Sequence, residues 1–221
     1  MQLLPFLLLA VVFTAVGLQM TRLAQQALQA GETATPPAAK WFTRRGALTG
    51  LALSELALCL FLPCFYGTAP LTGAGVLLAC AVLWPCAWTD ARRYLIPNRV
   101  LLAGAAAAAA LLALRTLQAP GQAVSMLVST GIATAAILFC ALLCRLVSPK
   151  AVGMGDIKLL AVLALCLGME LVWAAVFYTF VLTFFVGVFL LATKRARRSD
   201  SIPFAPFLLF GTIAAAFLAG I

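Results

Sequence analysis

Apolar runs follow one another along this chain with so little polar sequence between them that no soluble domain fits. Eight segments are long or apolar enough to be considered for the membrane: 3–20, 47–67, 70–89, 100–118, 124–147, 157–168, 171–193 and 203–221. A helix that crosses a bilayer needs about 20 mostly apolar residues. Hydrophobic residues make up 65% of the 221 and charged residues 10%, against about 45–50% and 25% in a soluble domain. The backbone groups of a chain in lipid must be satisfied internally. The sequence therefore predicts an all-α polytopic membrane protein with about eight transmembrane helices. The segment 3–20 has no basic residue before it and no A-x-A-like site after it, so it reads as a retained helix.

The placement of charge supports that count. The chain carries 15 Lys and Arg against six Asp and Glu, a formal charge of +9. Fourteen of the basic residues fall in or beside the loops 21–46, 90–99, 145–158 and 194–202, and Arg115 alone falls elsewhere. With eight segments, those four loops share one side of the membrane. Basic residues collect on the cytoplasmic side, so these loops are expected there, with both termini outward. The charge is thereby explained as topology and gives no support for a nucleic-acid partner. The organisation expected is a first helix and short cytoplasmic loop over 1–46, then a membrane-embedded core over 47–221. The run Gly104–Ala110, nearly all alanine, is read equally well as a close-packing helix face or as plain helical filler.

One stretch departs from simple crossing helices. Leu159 to Leu190 is 32 residues, about 48 Å as one helix at 1.5 Å per residue, beyond a core of about 30 Å. Gly168 divides it, leaving a first part of about 18 Å, too short to cross alone. Either residues 153–158 also enter the membrane plane, or the turn is submerged.

The chain has no histidine, which excludes Ser-His-Asp and Cys-His hydrolases and His-ligated metals. The seven cysteines, Cys59, Cys64, Cys80, Cys86, Cys140, Cys144 and Cys166, lie in apolar segments without a C-x-x-C and read as buried thiols. No metal site and no cofactor is expected. Acid–base chemistry is left to Glu32, Glu55, Asp90, Asp156, Glu170 and Asp200, to Lys and Tyr, or to a cofactor.

Asp90 follows Trp84-Pro85-Cys86-Ala87-Trp88-Thr89, and Asp156 sits in Gly153-Met154-Gly155-Asp156-Ile157-Lys158. Both are at cytoplasmic ends of apolar segments, where an ionisable group is a functional hypothesis by default. The glycines suggest unusual dihedrals and close approach of a substrate backbone. Two carboxylates on one side can form a dyad in which one stays protonated and the other ionised. The ionised group takes a proton from water as it attacks a peptide carbonyl, and the protonated group donates to the carbonyl oxygen. The residues alone leave other readings open. Asp156 can cap the helix after it, Asp90 can pair with Arg92 or Arg93, and the two can serve a proton or ion path.

The words around the aspartates narrow this. Asp90-Ala91-Arg92-Arg93-Tyr94-Leu95-Ile96-Pro97-Asn98 resembles the D-x5-I/L-P-N/D region of type IV prepilin peptidases. Gly153-Met154-Gly155-Asp156-Ile157-Lys158-Leu159 resembles their G-x-G-D-x-K-L region, and Ile202-Pro203-Phe204-Ala205-Pro206-Phe207 their P-F-G-P-F region. Ser54-Glu55-Leu56 looks like the glutamate position before the core. The motifs stand in family order over roughly residues 45–215.

That resemblance implies an aspartic endopeptidase of a prokaryotic cytoplasmic membrane with Asp90 and Asp156 as its catalytic pair. Its substrates would be prepilins or pseudopilins of pilus, secretion and competence systems, cut on the cytoplasmic side between a short basic leader and an apolar helix. Gly153, Gly155, Lys158, Glu55, Pro97, Asn98, Pro203 and Pro206 would shape the site. Lys158 is read either as a cytoplasmic anchor or as a group tuning the charge of Asp156. Many bacterial members carry a cytoplasmic insert with two C-x-x-C pairs for zinc and also N-methylate the mature pilin from S-adenosylmethionine. Residues 21–46 hold no cysteine and leave no room for that insert, so zinc is not expected and methyl transfer has little support. Ala205 stands where the family usually has Gly, which would restrict that loop slightly. The competing readings are a presenilin-like intramembrane protease, which shares G-x-G-D but carries Y-D and P-A-L where this chain has Thr89-Asp90 and PFAPF, and a proton-coupled transporter using the two aspartates.

Overall fold

In a computed structural model of the chain, the residues described are 11, 12, 15–24, 26, 70–148, 152–194 and 202–218. The expected segment 47–67, with Glu55, lies outside them, as do Cys59, Cys64, Glu32 and Asp200. Of the first segment, residues 11, 12 and 15–20 are helical and the helix continues through residue 24, with Met20 and Ala24 buried in the core.

Five further helices follow among the described residues. They are α1 (Pro70–Arg93), α2 (Asn98–Gln118), α3 (Ala123–Val147), α4 (Met154–Ala192) and α5 (Phe204–Leu218), with a 3₁₀ turn at Pro120–Gln122. The first four are long and apolar enough to cross a membrane, and α5 is shorter. The fold is thus an all-α polytopic membrane protein. The 21 residues of α2 span about 31 Å, close to the hydrocarbon thickness.

The breaks between helices have local causes. Tyr94 takes a φ of +52° and its N–H bonds the Asp90 carbonyl at 2.9 Å, closing α1. Pro97 then holds the preceding residue out of the helical region and starts α2 from an extended conformation. Within α4, Gly168 has φ +74° and ψ −175°, a region open essentially to glycine alone. The chain turns back there. Gly187 on the second arm lies beside Ile202, and Gly211 of α5 packs so tightly on Thr179 and Ala175 that a Cβ would overlap them. The expected division at Gly168 is therefore present, and Glu170 beside it is exposed.

Helix α4 touches α1, α2, α3 and α5, and α5 lies against both α4 and α1. Helix α1 is the innermost, with 89% of its most apolar stretch buried, against 28% for α2 and 22% for α3. In the alanine run of α2, Gly104, Ala108 and Leu111 are buried and Ala106, Ala109 and Ala110 exposed. That is one close-packed helical face, with Gly104 set against Val82 and Val162. Helix α3 covers only one side of the bundle, which corrects the reading of all cysteines as buried. Cys80, Cys86 and Cys166 are buried, while Cys140 and Cys144 are exposed, on the face left to lipid.

Candidate active site

Helix α1 runs four residues past the segment expected from hydropathy. Asp90 is consequently inside its last turn, and it is 5% exposed. A helix end presents unpaired carbonyls and a negative partial charge, so this is a poor place for a carboxylate unless donors arrive from elsewhere. They arrive from α5. The Ala205 amide donates to Asp90 Oδ2 at 2.9 Å, joining residues 115 apart in sequence. The neighbouring Phe204 amide also faces this carboxylate. Arg92, a candidate partner of Asp90, lays its guanidinium over the Trp88 ring at 5.0 Å instead.

Helix α4 begins three residues earlier than expected, at Met154, which places Asp156 in its first turn. The Gly153 N–H donates to Asp156 Oδ2 at 3.1 Å. The N-cap is Gly153 and not Asp156, which sits third in the helix and bonds back to the N-cap amide, and Asp156 is only half-buried. Asp90 and Asp156 lie within electrostatic range of each other. Two helix ends thus bring the sequence's two candidate carboxylates to the same end of the bundle.

The glycines act through space and not through unusual dihedrals, contrary to the expectation. Gly153 has φ −70° and ψ 148°, and a Cβ there would stand 2.9 Å from Asp156 Oδ2. Gly155 is helical, and its Cβ would meet the Ile96 Cβ at 3.1 Å. The close approach that Gly155 permits is by the Ile96-Pro97 loop. Three residues on, Lys158 Nζ donates to Asn98 Oδ1 at 3.0 Å. The same loop is thereby held to α4 at two points. Pro97 is buried, Pro203 and Pro206 are half-buried beside the start of α5, and Lys158 and Asn98 are exposed.

Two contributors were missed in the sequence, the Ala205 amide and Ile96. Ala205 looked like a mild restriction on a loop. It is the second residue of α5 and fully buried, so a helix-favouring residue suits it. Two other described basic residues lie at opposite ends of the bundle. Arg145 donates to the Val152 carbonyl at 2.8 Å, while Arg115 lies at the opposite end, where its guanidinium and the Cys166 carbonyl meet over Gly75. Among the described residues no group of three or more His, Cys, Asp or Glu side chains comes together.

Fold and geometry together define a helical membrane protein with two aspartates gathered at one end of its bundle by three separate sequence motifs. The chain belongs to the type IV leader peptidase family, whose profile matches residues 77–192. It is also 33% identical over 135 residues to the prepilin leader peptidase/N-methyltransferase of Bacillus subtilis (strain 168), a stretch that is 58% of this chain and 48% of that relative. The match therefore spans about half the length of the curated relative. No solved structure matches the chain at a significant level.

Proposed function

We propose that this chain is an aspartic endopeptidase that removes the basic leader from type IV prepilins or pseudopilins at the cytoplasmic face of a prokaryotic inner membrane. The observation that carries the reading is the meeting of Asp90 and Asp156 within electrostatic range at one end of the bundle. Family membership supplies the substrate class, and the relative's printed name agrees with it.

The chemistry follows from the arrangement. Each carboxylate within electrostatic range of the other disfavours its ionisation, which suits a pair with one member protonated and one ionised. The ionised member takes a proton from an attacking water, and the protonated member donates one to the scissile carbonyl oxygen. The tetrahedral species collapses when the leaving amine is protonated, and the pair returns to its starting charge. Titration belongs to the pair and not to one residue. Burial of Asp90 against α5 and half-exposure of Asp156 suit a pair that meets substrate from the polar end.

The test is co-expression with a precursor that joins a short basic leader to an apolar helix. Asp90→Asn and Asp156→Asn should each abolish its processing while membrane levels stay at wild type. Processing retained by either variant sinks the assignment.

A further inference from the structure

We infer that the backbone N–H of Ala205 is a positioning group for Asp90, fixing the orientation in which its carboxylate is presented to the reaction. The inference rests on the reading of Asp90 as catalytic and adds a residue to it.

The sequence of the α5 start explains why this amide is free. The first amides of a helix have no acceptor within it. Pro203 and Pro206 carry no N–H, so Phe204 and Ala205 are the two donors that this turn can aim outward. The Ala205 donor goes to Asp90 Oδ2 at 2.9 Å. Asp90 has need of it. It sits at the carbonyl end of α1, it is 5% exposed, and a carboxylate so placed lacks water to stabilise its charge. The positive end of α5 offsets the negative end of α1 at this one group.

Asp156 is held in a parallel way, its Oδ2 taking the Gly153 N–H at 3.1 Å. Each aspartate thus has one oxygen tied to a backbone amide, a donor that cannot rotate away as a side chain can. An amide-fixed carboxylate keeps its orientation through turnover, which is what an oriented acid–base pair requires. The P-F-A-P-F stretch acts in this account through a main-chain hydrogen, and its side chains serve to seat it.

The experiment removes that hydrogen, at the side cost of a weaker Phe204 carbonyl acceptor in the same helical turn. Replacing Ala205 with lactic acid during translation puts an ester oxygen where the N–H was and keeps the methyl group. The full-length enzyme is reconstituted in nanodiscs and assayed on the basic-leader reporter precursor. The expected result is a kcat about 10- to 100-fold lower with KM unchanged, in a protein that still folds and inserts, the loss of one hydrogen bond to a charged group. Leucic acid at Leu208 weakens the same helical turn without touching the Ala205 amide, and it should leave kcat near wild type. A wild-type kcat for the Ala205 ester overturns the inference, as does an equal loss from the Leu208 ester or failure of the Ala205 ester to fold, since either makes the amide structural. Asp90→Asn run alongside separates the two claims. If it cleaves, the catalytic reading falls. If it is inactive while the Ala205 ester is fully active, only the positioning role falls.

Discussion

Lys158 donates to the Asn98 side-chain oxygen at 3.0 Å, tying the start of α4 to the start of α2 across 60 residues. Lys158 was open to two readings, an anchor or a tuner of Asp156. The contact gives it a third role, as one of two pins that hold the Ile96-Pro97 loop against the helix carrying Asp156.

If the pin matters, Lys158→Ala and Asn98→Ala should each lower kcat/KM about three- to tenfold, the range of one solvent-exposed hydrogen bond to a charged group. The double variant should lose little more than either single one, because both remove the same interaction. Steady-state cleavage of the reporter by all four enzymes completes the cycle, and additive losses would refute the pairing.

The second pin is steric. Gly155→Ala would set a Cβ 3.1 Å from the Ile96 Cβ and push the loop away. Processing is expected to fall about tenfold or more, and Ile96→Gly in the same chain, which removes that Cβ, should restore part of it. Immunoblots of precursor and mature product read both variants.

Gly153→Ala tests the carboxylate directly. The new methyl would stand 2.9 Å from Asp156 Oδ2 and dislodge it from its amide. We expect cleavage to be lost with membrane levels unchanged, whereas a variant as active as wild type would show that this carboxylate orientation is dispensable.

Two carboxyls sharing one proton predict a bell-shaped dependence of kcat/KM on pH, since both the fully protonated and the fully ionised pair are idle. Cleavage by the purified enzyme should also be unaffected by EDTA. A rate that rises monotonically with pH, or that collapses on chelation, would contradict the proposed chemistry.

Gly168→Ala concerns stability and not chemistry. Nothing lies within 4 Å of a Cβ at Gly168, but its φ is +74°, so the cost is in the backbone, about 1–3 kcal/mol. A lower midpoint of thermal unfolding in detergent is the expected readout.

Among the described residues, the helices and the placement of both candidate aspartates at helix ends were legible in the sequence because hydropathy and motif words are local. Segments 70–89, 100–118 and 124–147 each fall within an observed helix, and Gly168 announced its break by chain length alone. What joins the motifs was not legible. The Ala205–Asp90 and Lys158–Asn98 contacts depend on the register of helices packed side by side, which apolar composition does not encode. The same limit explains the cysteines, because an apolar segment does not tell the face toward protein from the face toward lipid. The glycines of G-M-G-D were read as conformational freedom because a sequence displays the missing side chain and not the neighbour that fills its place.

The turn at Gly168 has one more consequence. Asp156 rides at the end of a rod of 12 residues that stops at Gly168, about 18 Å long, and the Cys166 end of that rod meets Arg115 over Gly75. The depth of this carboxylate is therefore gauged from the opposite end of the bundle. Adding or removing one residue between them would raise or lower it by about 1.5 Å and swing it by about 100°, out of line with an Asp90 that hangs from a different helix.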